Sequence, residues 1–305
     1  MTTQTFLAAA FLLPMATMAL PITTFEVPGA NGVNGTAPQA INARGDVIGL
    51  SFDGAGISHG FLLHRGVFTT VDYPGFLHTT PRGINNLGET VGQMDNRSSN
   101  DTNGPTSGFI LSEDGKFTKV DFPGAAITGL FGINDSGQVV GDYQDAKLVS
   151  HGFLYENGKF TAIEYPGATG GTVATGVNAA GQVVGFYLSA SGPRGFSRTV
   201  DGTFQTIELP GAIDSSARGI NNHGDIAGQY TDNTGMTRGF LLSDGALIPI
   251  DSPGAVATYG RGVNDRGVVV GNFLDGRGVL HAFISGRSTG DQSSAALTLP
   301  GSPRN

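Results

Sequence analysis

Cysteine is absent from the 305 residues. A disulfide framework, a thiolate zinc site and a thiol nucleophile are all excluded at once, while the redox compartment stays open. Cations are scarce too: 17 Lys and Arg against 25 Asp and Glu leave a net charge of −8, with no basic block anywhere. Nucleic-acid binders need a basic face to displace counterions from phosphates, and an anionic membrane surface makes the same demand. Neither partner is expected. Long hydrophobic runs are missing as well. The one apolar stretch, Phe6 to Ala19, has 14 residues, short of the ~20 that a membrane-spanning helix needs. It fits the apolar core of a signal peptide ending in small residues, which places a signal peptide over residues 1–19 and the mature chain in a secreted or periplasmic space. The segment before it, Met-Thr-Thr-Gln-Thr, lacks the usual Lys or Arg, and a buried N-terminal segment is the alternative. No Gly-x-Ser-x-Gly elbow, His-Glu-x-x-His pair, phosphate-cradling loop or Asp-rich calcium loop occurs. No motif therefore calls for a metal or a cofactor.

Glycine, by contrast, is abundant: 49 residues, with 15 Pro beside them, about twice the usual ~7 % glycine share. These are the two poorest helix formers, so the composition points to short strands joined by tight turns. The chain also repeats. Variants of Gly-Ile-Asn-x-x-Gly-x-Val-Val-Gly centre on Asn42, Asn85, Asn134, Asn178, Asn221 and Asn264, spaced by 43, 49, 44, 43 and 43 residues. Each unit reads as four strands. The first ends at Ile/Val-Asn. Asn-x-x-Gly then turns the chain, with Asn bonding the backbone ahead and Gly taking positive φ. A second strand follows, as over Gln138 to Tyr143, and a third, as over His151 to Tyr155. Asn157-Gly158, Asp114-Gly115, Asp201-Gly202 and Asp244-Gly245 are hairpin signals. The fourth strand ends at Pro-Gly, since proline cannot donate to a ladder.

Four antiparallel strands every ~44 residues is the period of a propeller blade. The sequence predicts an all-β fold: a six-bladed β-propeller over residues 22–301, with a tail at 302–305. An acid precedes x-Pro-Gly at Asp72, Asp121, Glu164, Glu208 and Asp251, and once more at Glu26, ahead of the first repeat. The N-terminal strand over 22–29 is thus expected to close the last blade; residues 295–301, a copy that has lost its acid, are the other candidate. The third-strand motif, His59-Gly60-Phe61, His151-Gly152-Phe153 and His281-Ala282-Phe283, following the Asn repeat, resembles the bacterial HAF-type extracellular repeat proteins. The resemblance covers about residues 25 to 284, with Ser107, Arg194 and Arg238 departing from the His. It implies an exported protein and carries no catalytic motif.

Most polar residues repeat around the chain, which marks them as scaffold. Asp53, Asp95, Asp145, Asp232 and Asp275 end second strands, facing His59, His151, His281, Arg194 or Arg238; this reads as a cross-strand pair rather than a site. An active site needs residues converging from different blades. Those that break the pattern are the candidates. Arg82, Arg218 and Arg261 precede Gly-Ile/Val-Asn, where Phe131, Thr175 and Gln39 or Ala40 stand in other repeats. Three guanidiniums at the mouth of a ring can grip a carboxylate or sulfate; salt bridges to the second-strand acids are the competing reading. Gln93, Gln229 and Asn272 follow second-strand glycines, as does Asp142, and complete a candidate ligand-binding set. If the chain is an enzyme, a hydrolase or polysaccharide lyase, His78, Tyr259, Asp142 and Asp214 are the catalytic candidates. The reading favoured by near-uniform blades is a monomeric binding or scaffold propeller recognising a glycan, a small anionic ligand or a cell-surface partner.

Overall fold

The computed structural model describes residues 20–30, 35–97 and 104–286. Among them every regular element is a strand, and no helix is long and apolar enough to cross a membrane. Strand β1 (Ile22–Phe25) comes first. The first repeat holds β2 (Thr36–Ile41), β3 (Val47–Phe52), β4 (Ser58–His64) and β5 (Val67–Val71). The second holds β6 (His78–Ile84), β7 (Thr90–Asp95), β8 (Thr106–Leu111) and β9 (Phe117–Val120). The third holds β10 (Ile127–Ile133), β11 (Val139–Gln144), β12 (Ser150–Glu156) and β13 (Lys159–Ile163). The fourth holds β14 (Thr172–Val177), β15 (Val183–Ser189), β16 (Gly192–Arg198) and β17 (Phe204–Thr206). The fifth holds β18 (Ala212–Ile220), β19 (Ile226–Asp232), β20 (Thr237–Ser243) and β21 (Ala246–Ile250). The sixth holds β22 (Ala257–Val263), β23 (Val269–Leu274) and β24 (Leu280–Ser285).

Within each of the first five repeats the four strands pair antiparallel in chain order. The sixth repeat has three strands of its own, and β1 lies antiparallel on β24 with Phe25 opposite Ala282. That is the position β5 occupies on β4, where Val71 faces Gly60. Residues 22–25 therefore take the fourth-strand place in the last set. The expectations for residues 1–19, 295–301 and 302–305 fall outside the described residues.

The repeated glycines and phenylalanines are one device. Every third-strand Phe (Phe61, Phe109, Phe153, Phe196, Phe240 and Phe283) is buried. Each stands opposite a second-strand glycine, as Phe153 does Gly141 and Phe283 does Gly271. A Cβ on Gly141 would collide with the carbonyl of Gly129 and meet the Phe153 ring at 3.0 Å. Glycine makes the space that phenylalanine fills, and burying a ring of this size contributes ~2–3 kcal/mol per repeat. The apolar clusters join neighbouring sets. Val140 and Ile163 of the third repeat pack with Ala174, Val183 and Phe196 of the fourth. Phe25 and Ala282 pack with Ile41 and Phe61 of the first.

The repeated asparagine has two tasks. Its Oδ1 accepts a backbone N–H four residues on, as Asn134 does from Gln138 at 3.0 Å, closing its own turn. Its Nδ2 donates to the backbone carbonyl of the next repeat's asparagine: Asn42 to Asn85, Asn85 to Asn134, Asn134 to Asn178, Asn178 to Asn221 and Asn221 to Asn264, at 2.9–3.2 Å. Asn264 then donates to Asn42 at 3.1 Å, so the series returns to its start.

Candidate functional site

In every innermost strand, pairing with the next strand slips by one residue. The slips lie between Pro38 and Ala40, Pro81 and Gly83, Leu130 and Gly132, Ala174 and Gly176, Ala217 and Gly219, and Gly260 and Gly262. The residues left over are Gln39, Arg82, Phe131, Thr175, Arg218 and Arg261. A bulge leaves its extra residue unpaired and re-aims its side chain, and all six of these line a single cavity of about 390 Å³. The small residue after each bulge lets the backbones crowd together beneath. A Cβ on Gly132 would lie 2.9 Å from the Cα of Gly176, and one on Gly262 2.8 Å from the Cα of Ala40. Below this waist the asparagine turns line a smaller opening of about 70 Å³.

The upper wall belongs mainly to repeats two to four. Gln93, Asp142 and Phe186, each following a second-strand glycine, line it with Ile127, Gln144, Ser150 and Val173. Arg97 also reaches the cavity and pairs with Asp95 at 2.9 Å.

The three axial arginines are held differently. No ion pair within 4.0 Å joins Arg82, Arg218 or Arg261 to a carboxylate among the described residues. The second-strand acids pair with other cations instead. Asp145 and Glu164 flank His151 at 3.6 and 2.9 Å, Asp232 and Asp251 flank Arg238 at 2.7 and 2.8 Å, and Asp275 and Glu26 flank His281 at 3.5 and 3.1 Å. The salt-bridge reading of the arginines thus gives way, because Asp53, Asp145, Asp232 and Asp275 pair with third-strand cations and Asp95 with Arg97. Aromatic faces orient the guanidiniums: Arg82 lies 5.8 Å from the Phe131 ring, Arg218 4.9 Å from Phe186 and Arg261 5.5 Å from Tyr259. Arg82 donates Nη1–H to Gln39 at 3.0 Å, and Arg261 donates Nε–H to Asn272 at 3.3 Å. The Nε atoms of Arg82 and Arg218 are buried without a partner. Desolvation, reinforced by the neighbouring arginines, pushes Arg82 down to about 10 and Arg218 to about 9. Burial alone lowers Arg261. Asp142 moves the other way, up to about 6, because desolvation outweighs its hydrogen bond with Ser150 and the attraction of Arg82 and His151.

Of the candidates read from sequence, Arg82, Arg218, Arg261, Gln93 and Asp142 come together in the cavity. Asn272 is buried behind Arg261 as its hydrogen-bond acceptor. Gln229 and Tyr259 stand on β19 and β22, outside the cavity lining. Asp214 accepts the Thr231 N–H at 3.1 Å and also lies outside it. His78 ties two repeats: its Nδ1 accepts the Ser58 N–H at 3.1 Å, which leaves Nε2–H to donate to the Arg97 carbonyl at 3.2 Å. Both ring nitrogens are thereby occupied. Phe186, Gln144 and Ser150 went unnoticed in the sequence, since apolar and small polar residues at strand ends carry no signal of their own. Among the described residues no group of three or more His, Asp or Glu is placed to hold a metal ion.

Repeated four-strand sets about a shared cavity decide the kind of fold. It is of the β-propeller type. Solved structures similar to the chain include the SapL1 lectin in complex with alpha methyl fucoside, 13 % identical over 88 % of this chain and 97 % of that one, TM-score 0.54. AofleA from Arthrobotrys oligospora is 14 % identical over 87 % and 86 %, TM-score 0.56. A streptogramin B lyase overlaps more loosely, 13 % identical over 88 % and 98 %, TM-score 0.48. At these identities the likeness is one of fold. No family model matches the chain, and no curated protein does.

Proposed function

We propose that the chain is an exported HAF-type protein, a six-bladed propeller closed by its N-terminal strand, that binds a glycan in its central cavity. Closure is supported by β1 on β24 and by the asparagine series that runs back from Asn264 to Asn42. The observation that carries the binding reading is the convergence of six bulged side chains in one cavity, three of them arginines free of carboxylate partners among the described residues. Its volume of about 390 Å³ falls within the ~300–1,000 Å³ of small-molecule sites. Placing one unpaired residue per repeat on a rigid scaffold allows the ring to differ blade by blade while the fold stays constant. The lectin likeness is consistent with a saccharide ligand. A glycan array probed with wild type and with Arg82→Ala/Arg218→Ala tests it. Wild type should retain a defined subset of glycans and the double variant should lose them; a blank array at high protein concentration, or identical patterns for both, counts against the reading.

One observation favours a second reading, an extracellular hydrolase or lyase. A carboxyl raised to about 6 beside Arg82 in a cavity is suited to general acid–base work near neutral pH. On that reading Asp142 carries the proton, and Asp142→Asn abolishes turnover of a polysaccharide, ester or lactone substrate while His78→Ala leaves it intact.

A further inference from the structure

We infer that the cavity selects an acidic saccharide terminus bearing two oxyanion groups, one seated on the Arg218–Arg261 pair and one on Arg82; this rests on the glycan-binding reading above. Among the described residues the cavity lining contains Arg82, Arg97, Arg218 and Arg261 but a single acid, Asp142. Arg97 is neutralised by Asp95 at 2.9 Å. Among the described residues three positive charges therefore face one acid, inside a chain whose net charge is −8. Such a buried imbalance is costly unless a counter-charge arrives, and the depression of Arg82 and Arg218, chiefly by desolvation and further by Arg261, goes the same way. An anion of charge two restores neutrality while Asp142 is ionised.

The order of the bulged residues gives the anchors their spacing. Arg218 and Arg261 stand on consecutive repeats; Gln39 separates Arg261 from Arg82, and Phe131 with Thr175 separate Arg82 from Arg218. The anchors are thus a pair and a single, set across a cavity partly walled by Phe131, Phe186, Ile127 and Val173. An aromatic face fixes a guanidinium without using its N–H groups. Of the five N–H each arginine carries, Arg82 engages one and Arg261 one with a neighbouring side chain. Planar forks left open in this way match carboxylate and sulfate groups bidentately, which an ammonium cannot do.

The test is calorimetric titration of the full chain with digalacturonate, galacturonate, digalacturonate dimethyl ester and sodium sulfate. Digalacturonate should bind at least tenfold more tightly than galacturonate, and the ester and sulfate should bind weakly or not at all. Arg218→Met and Arg218→Lys should each weaken digalacturonate at least tenfold, the Lys variant because charge without the fork is insufficient. Should these variants fail to fold, the Nε–H resonances of Arg82 and Arg218 in the wild type are the readout, and both should shift on binding. Equal affinity for ester and acid, or for one and two carboxylates, overturns the inference while leaving a glycan site standing. Tight binding of sulfate alone reduces it to a simple anion site and overturns it as well. Silence from every probe together with a blank glycan array removes both readings.

Discussion

Asp142 is buried among Gln93, Ser150 and Arg82, and its folded pKa of about 6 lies above the ordinary 3.8. Between those values the folded chain holds a proton that the unfolded chain has released. Stability should therefore fall as pH rises from about 4 to about 6 and then level off. Asp142→Asn removes this slope and should raise stability at pH 7 by on the order of 1–3 kcal/mol; urea unfolding at pH 4.5 and 7 measures it, and an unchanged slope refutes it. The repeated asparagine acts at the same scale. Asn134→Ala loses the bonds to Gln138 and Asn178 and strands buried partners, so thermal unfolding should report a loss of about 2–4 kcal/mol. Single residues were the most legible level in the sequence where they broke the repeat, as Arg82, Arg218 and Arg261 did. Gln229 and Asn272 share the repeat position of Gln93 yet do not line the cavity. The unequal walls of the cavity decide this, and a pattern along the chain does not contain them.

At the level of the strand, one glycine and one phenylalanine form a unit that substitution cannot split. Gly141→Ala should cost about 3 kcal/mol or more, and trimming the ring with Phe153→Leu should fail to rescue it. The added Cβ collides with the Gly129 carbonyl as well as with the ring, and backbone cannot be trimmed. Denaturation of the single and double variants decides; full rescue would show that the ring was the only obstacle. The strand order and turns were readable from alternation and from Asn-Gly or Asp-Gly pairs, although those pairs form two kinds of turn. Asn157-Gly158 and Asp244-Gly245 have positive φ at both residues, whereas at Asp114-Gly115 and Asp201-Gly202 only the glycine does. The latter two turns gain an extra backbone bond, from Gly115 to Ser112 and from Gly202 to Thr199. The bulges were not readable. Nothing in Pro-Arg-Gly or Leu-Phe-Gly announces a register slip, which is a relation between two strands that the order of residues along one of them does not state.

For the molecule as a whole, the pairing of Ile22 with Ser285 can be tested in a chain free of cysteine. Ile22→Cys with Ser285→Cys should form a disulfide on oxidation. By closing a loop of nearly the entire chain it should stabilise the fold by several kcal/mol, roughly 5–6 in the loop-entropy account, seen as a reductant-sensitive rise in melting temperature. Failure to oxidise in the folded state would contradict the β1–β24 pairing. The spare acid at Glu26 made the pairing of β1 on β24 one of two arrangements legible in advance, since residues 295–301 carry a second copy of the fourth-strand ending without its acid. The asparagine bonds carry a further consequence. Each repeat gives to its successor and receives from its predecessor, and the series has neither first nor last member. The backbone break between β24 and β1 falls at the same hairpin that Asn157-Gly158 turns in the third repeat. If the ring closes as proposed, a circular permutant starting at Gly158 and ending at Asn157, with Gly286 joined to Pro21 through a two-residue turn, should fold to the same object, the starting point of the chain being interchangeable among the repeats.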